Sequence, residues 1–237
     1  MSSDVTERLV IAERFRGPTG SANGGYICGR LAAFIGKPAE VTLRTRPPLG
    51  RSLDVHRDGD NLSLFDGDTL VAEGGPAETT LEAPNPVAFE KAAEIATPLP
   101  PGGHPYPECF VCGPLREPRD GLCIYPAELE GHGLVAAPWI PDDTLAHDDG
   151  VIEDVFMWAA LDCPSGFASF LLAPGSTIIL GRLAAKIVER VSVGERLVTV
   201  AWPVDRDGRK LLAGSAIFSE QGHLKGLAQA TWIELPT

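Results

Sequence analysis

The stretch from Gly150 to Asp162, GVIEDVFMWAALD, restricts this chain more than any other. Ile152, Val155, Phe156, Ala159 and Ala160 recur at i, i+3, i+4, i+7 and i+8, the spacing of one helical face. Trp158 and Leu161 carry apolar surface most of the way round, so the pattern predicts a helix wrapped by other structure. Three acids, Glu153, Asp154 and Asp162, are embedded in it. Pro164 is expected to end it, because proline brings no N–H to the helical ladder. From Gly181 to Leu235 nearly everything reads as β-strand. A buried helix followed by consecutive strands predicts an antiparallel sheet curled around that helix.

The first third of the chain shows the same order on a smaller scale. ERLVIAERF (7–15) reads as a strand and GPTGSANGG (17–25) as a glycine-rich loop. Ile27, Leu31, Phe34 and Ile35 then form a short helical face that stops at Gly36 and Pro38. In AEVTLRTRP, Val41 and Leu43 alternate with Arg44 and Arg46 in the manner of a half-buried strand. Later strands are divided by turns at Asp58-Gly59 and Asp66-Gly67. A proline-rich connector with room for one small helix, FEKAAEIA, separates this unit from the next. PPLGRSLDV in the first unit is echoed by VSVGERLVTV in the second. The expectation is a diverged internal duplication whose halves pair as a pseudo-dimer, with units at 1–85 and 109–237 and the connector at 86–108.

A chain of 237 residues has material for two modest domains. Its formal charge of −12 argues against nucleic acid and anionic membrane as partners, since both need a basic footprint. MSSDVTERLV shows neither a basic region nor an apolar run of signal-peptide type. No apolar stretch approaches the roughly 20 residues that span a bilayer. With five cysteines, an odd number, the expected setting is the cytoplasm with reduced thiols.

Strand, glycine loop, buried helix and wrapped antiparallel sheet, twice over, resemble a double hotdog: an α+β fold of two antiparallel sheets, each wrapped around a central helix. GPTGSANGGYICGRLAAF with VTLRTRPPLGRSLDV resembles the thioesterase-like superfamily, in which an NGG or HGG loop starts the hotdog helix. CFVCGPLREPRDGLCIYP resembles the CFxCGxxNPxGL opening of phenylacetate-type hotdog thioesterases, and WAALDCPSGFA and ILGRL also look like members of the group. The resemblance implies a small-molecule acyl thioester, most naturally acyl-CoA, as substrate, no cofactor, and either hydrolysis or binding alone, because hotdog proteins include inactive members. Homo-oligomerisation is left open.

Thioester hydrolysis needs a polarised carbonyl, an activated water and an apolar berth for the acyl chain. Asn23, Gly24 and Gly25, opening a helix, suit the first task, since free N–H groups at a helix start favour a developing negative charge. The same residues also suit a plain tight turn. Asp162, a carboxylate in apolar surroundings, suits the second, or equally a hydrogen bond to its own CPSG turn. In double hotdog acyl-CoA thioesterases an Asp on the second-half helix works with a Thr or Ser and a Gln. Asp162 matches that Asp in context, and Thr177 and Gln229 are looser matches. Trp158 is a candidate wall of an acyl pocket. Glu153 and Asp154, in the first turn, are favoured by the helix dipole alone. The first-half helix has no acid, so one site per chain is expected, built from first-half glycines and a second-half acid.

His104, Cys109, Cys112 and Cys123 invite a zinc reading through the CxxC pair, but a second close pair is missing, and the expectation is no metal. Cys28 and Cys163 read as small buried apolar residues. Arg44 and Arg46, with Arg182, Lys186 and Arg190, are either the solvated side of a sheet or a patch for the phosphates of coenzyme A.

Overall fold

The computed structural model describes residues 5–236. The first half runs β1 (Val5–Val10), α1 (Gly24–Ile35), β2 (Ala39–Leu43), β3 (Ser52–Asp58), β4 (Asn61–Asp66) and β5 (Thr69–Pro76). A short helix, α2 (Phe89–Ile95), lies in the connector. The second half runs β6 (Ala127–Leu129), β7 (Leu134–Trp139), α3 (Asp154–Phe170), β8 (Ile178–Ile187), β9 (Leu197–Asp207), β10 (Lys210–Ser219) and β11 (Leu224–Glu234). No helix among the described residues is long and apolar enough to cross a membrane.

The eleven strands of the described residues form one sheet in the order β1-β3-β4-β5-β2-β8-β11-β10-β9-β7-β6. The first half contributes 1-3-4-5-2. The second, read from its far edge inward past β6, contributes 7-9-10-11-8, the same order with the same antiparallel pairings. The duplication suggested by two short sequence echoes is therefore written in the topology. Each echo places a left-handed glycine before the equivalent strand: Gly50 (φ 66°) precedes β3 and Gly194 (φ 77°) precedes β9, a conformation glycine enters without a Cβ penalty. The two expected sheets are joined edge to edge, because β2 pairs antiparallel with β8 from Ala39↔Ala185 to Thr42↔Arg182.

The sheet curls around α1 and α3, which pack against each other. The main core gathers Ile27 and Leu31 of α1, Met157 and Leu161 of α3, and inward residues of both halves such as Val41, Leu64, Leu183 and Ala230. On the outer face, α2 lays Phe89 and Ala92 over Val198, Val200 and Phe218. Close approach of the two central helices depends on glycine. A Cβ on Gly29 would lie 2.9 Å from the Val155 Cα, and one on Gly25 would lie 2.4 Å from the Asp162 Cβ.

Pro164 does not end α3, which continues through it to Phe170. Proline removes one ladder bond and crowds the carbonyl four residues back, but polar groups nearby occupy neighbouring carbonyls. Ser215 of β10 donates to the Leu161 carbonyl (2.6 Å), and Ser165 donates to the Asp162 carbonyl (2.6 Å). Tertiary packing of a fully buried segment overrides the local stop. The consequence for function is that Asp162 sits in the middle of a helix and not at its end.

Candidate active site

The N-terminus of α1 points at the middle of α3. Asn23 caps α1, its Oδ1 accepting from the Tyr26 N–H at 2.9 Å, which satisfies one of the free donors every helix start carries. The other end of the same amide, Nδ2, donates to Asp162 Oδ2 at 3.0 Å. The Gly25 N–H donates to that same oxygen at 2.8 Å. One carboxylate oxygen of the second half is thus held by two donors from the turn of the first. Oδ1 is buried with no hydrogen-bond partner.

Asp162 is 2% exposed. Burial pushes its carboxyl up to about 7, against the pull of the Gly25 N–H and the Asn23 amide, and the nearby Cys109 sulfur pushes it further up. Beside it lies a cavity of about 380 Å³ with mainly apolar walls, among them Phe167, Phe170, Leu180 and Trp232, a size ordinary for a small-ligand site. Trp232 is fixed by its indole N–H, which donates to Ser165 Oγ at 2.8 Å. Gly24 also borders the cavity, and as the first residue of α1 its N–H has no intrahelical acceptor. His104, 6% exposed, lines it too. The His104 Nδ1 accepts from the Tyr106 N–H at 3.0 Å, so the neutral ring carries its proton on Nε2, a buried nitrogen with no partner. Burial lowers the pKa of this histidine. Arg44 and Arg46, both exposed, border the same cavity, and Arg44 is paired with Glu73.

The structure brings Asn23, Gly24, Gly25 and Asp162 together across the two halves. It does not bring Thr177 or Gln229 to them. Thr177 is exposed ahead of β8, with its carbonyl accepting from the Leu235 N–H at 2.8 Å. Gln229 sits opposite Gly214 and Ala184 in the ladder; its neighbours Ala228 and Ala230 belong to the core around α3, so alternation turns Gln229 to the other face. Trp158 packs toward α1, where a Cβ on Gly29 would come within 2.8 Å of its own, and it lines a second, more polar cavity of about 470 Å³. Gly25 spends its N–H on Asp162, leaving Gly24 as the glycine available to a ligand.

That second cavity holds Glu153, Asp154, Arg30 and Arg190. It lies where the pseudo-symmetry of the fold would place a second site. Counting from the first helical residue, the position of Asp162 in α3 is occupied in α1 by Ala32. Asp154 is paired with Arg190 at 3.3 Å. The acid-and-amide arrangement therefore occurs in one of the two places.

No protein-family model matches the chain, and no curated protein matches it in sequence. Solved structures do match it in shape. A TesB protein of Mycobacterium avium subsp. paratuberculosis superposes over 97% of this chain and 92% of its own, with a TM-score of 0.64 and 12% identity. A thioesterase-like protein of Novosphingobium aromaticivorans gives 97% and 95%, 0.63 and 15%. The acyl-CoA thioesterase II TesB2 of Mycobacterium marinum gives 92% and 90%, 0.60 and 14%. The chain has the double hotdog fold. At such identities the double hotdog architecture is what these likenesses establish, and the chemistry has to be argued from the site.

Among the features that sequence reasoning missed, the Asn23 amide bridging cap and carboxylate was encoded in ordinary capping chemistry. The His104 tautomer is set by a contact only two residues along the chain, the Tyr106 N–H on Nδ1, and residue type alone does not reveal which ring nitrogen accepts it.

Proposed function

We propose that this chain hydrolyses an acyl thioester, with acyl-CoA as the substrate. The observation that carries the reading is a buried carboxylate with one oxygen anchored by a helix start and the other unpartnered, beside an apolar cavity. The acyl chain lies among Phe167, Phe170, Leu180 and Trp232. Asp162 Oδ1 orients a water and takes its proton as the water oxygen bonds to the thioester carbon. The Gly24 N–H holds the carbonyl oxygen as charge develops on it. The carbon–sulfur bond then breaks, and the departing thiolate recovers the proton from Asp162. Arg44 and Arg46 offer positive charge to the phosphates of coenzyme A. Thr177 and Gln229 have no part in this scheme.

A panel of acyl-CoA esters of increasing chain length tests the reading, with released coenzyme A and free acid followed by chromatography. Turnover with an optimum at one range of chain lengths is the expected result. Saturable binding across the panel with no product would replace the hydrolase with a non-catalytic acyl-CoA or lipid-binding hotdog protein.

A further inference from the structure

Three cysteines from two separate parts of the second half converge at the wall of the cavity. The sulfurs of Cys109, Cys112 and Cys163 all lie within 4.8 Å of one another, and all three residues are buried. Cys109 and Cys163 are 3.6 Å apart at sulfur. Cys123 stands apart, with its thiol against the Arg116 carbonyl at 3.8 Å. The set His104, Cys109, Cys112, Cys123 considered from sequence is thus replaced by one in which Cys163, on α3, completes the CxxC pair.

The surroundings hold these sulfurs in place. The Asn23 amide Nδ2 reaches both Cys109 and Cys163 at 3.8 Å. The loop that presents the pair is rigid. The Gly113 N–H closes it on the Cys109 carbonyl at 2.9 Å, and a Cβ at Gly113 would lie 2.5 Å from the Cys109 nitrogen. Phe110, fully buried between the two thiols in sequence, is locked by bonds from its N–H to the Arg16 carbonyl and from the Leu122 N–H to its carbonyl, each 2.8 Å. A rigid CxxCG turn, a third thiol facing its first sulfur and one amide N–H group within reach of both make a preorganised donor set and not merely three small apolar side chains.

We infer that Cys109, Cys112 and Cys163 bind one thiophilic divalent cation of the zinc class, leaving its fourth position to the cavity that the same residues line. Zinc–sulfur bonds of about 2.3 Å set tetrahedral sulfurs about 3.8 Å apart, close to the Cys109–Cys163 separation. Three thiols suit zinc over magnesium or calcium, which prefer oxygen. His104 is not the fourth ligand in this geometry, because accepting the Tyr106 N–H on Nδ1 puts the proton on Nε2. Each thiol loses its proton to solvent as its metal–sulfur bond forms. The inference is independent of the hydrolase reading, since it is read from bound metal and not from turnover.

The test uses the full chain purified without chelator, with metal counted by mass spectrometry, then stripped and titrated with cobalt(II). One metal per chain is expected, with visible absorption of tetrahedral cobalt and thiolate-to-metal charge transfer in the near ultraviolet. Cys112→Ser and Cys163→Ser should each make binding substoichiometric, while Cys28→Ser and Cys123→Ser should leave it at one. Should a variant fail to fold, titrating the wild-type thiols decides instead: blocking three of them should release one equivalent of metal. Octahedral cobalt spectra, metal release unlinked to thiols, a Cys123 variant as impaired as the Cys163 variant, or a Cys109–Cys163 disulfide in protein isolated under reducing conditions would each overturn it.

Discussion

Gly25→Ala is the perturbation that bears hardest on the contact between the two halves. The added methyl would sit 2.4 Å from the Asp162 Cβ, 2.7 Å from the Trp158 carbonyl oxygen and 3.0 Å from the Ala159 Cα. Carbon atoms settle at about 3.5–4.0 Å, so α1 and α3 must part by about 1 Å. Overpacking of that kind costs about 1–3 kcal/mol. The same movement stretches the 2.8 Å bond from the Gly25 N–H to Asp162 beyond hydrogen-bond range, and a lost bond to a charged group costs about 1.5–3 kcal/mol more. Alanine's better helix propensity returns about 1 kcal/mol at most. The net loss is about 3 kcal/mol, or about 6–12 °C in Tm for a chain of this size. Urea and thermal unfolding measure the stability, and the acyl-CoA assay measures the site. Gly36→Ala is the control: it has φ 69° and open space around it, so it should cost only about 1 kcal/mol of backbone strain and leave turnover unchanged. A Gly25→Ala protein as stable and as active as the parent would refute the close packing of the two helices at the site.

Three further outcomes follow from the same geometry. Ser215→Ala removes the hydroxyl that donates to the buried Leu161 carbonyl and should lower stability by about 0.5–1.5 kcal/mol in urea unfolding. Asn23→Ala removes both the cap on Tyr26 and the donor to Asp162; with about 1 kcal/mol for the cap and about 1.5–3 for the bond, stability should fall by about 2.5–4 kcal/mol, with turnover falling too. Phe170→Trp enlarges a wall residue of the cavity and should move the chain-length optimum toward shorter acyl groups without loss of stability.

Sequence periodicity revealed the two buried helices, the Asp-Gly turns and the repeated order of elements, because each depends on residues close in the chain. Pro164 misled, since the hydroxyl that helps a helix through it comes from Ser215 on β10. Asp162 was identifiable as an acid in apolar surroundings, whereas its partners Asn23 and Gly25 are more than 130 residues away in sequence. Thr177 and Gln229 show the limit of matching residue types. Whether a strand residue faces the helix is decided by alternation, and Gln229 falls one residue out of phase with Ala228 and Ala230. Cys163 read as a small apolar residue because it lies at the end of an apolar helical pattern, and its convergence with Cys109 and Cys112 appears only when α3 meets the CxxC loop.

In the proposed reaction Asp162 activates water for a substrate that other residues hold. Single-turnover hydrolysis by Asp162→Asn, measured beside its affinity for the same acyl-CoA, tests that most directly. The amide keeps the shape of the carboxylate and takes away the base, so a folded variant should bind acyl-CoA about as well as the parent and turn it over about 10²–10⁴-fold more slowly. Hydrolysis at the parent's rate by the folded variant would contradict the mechanism.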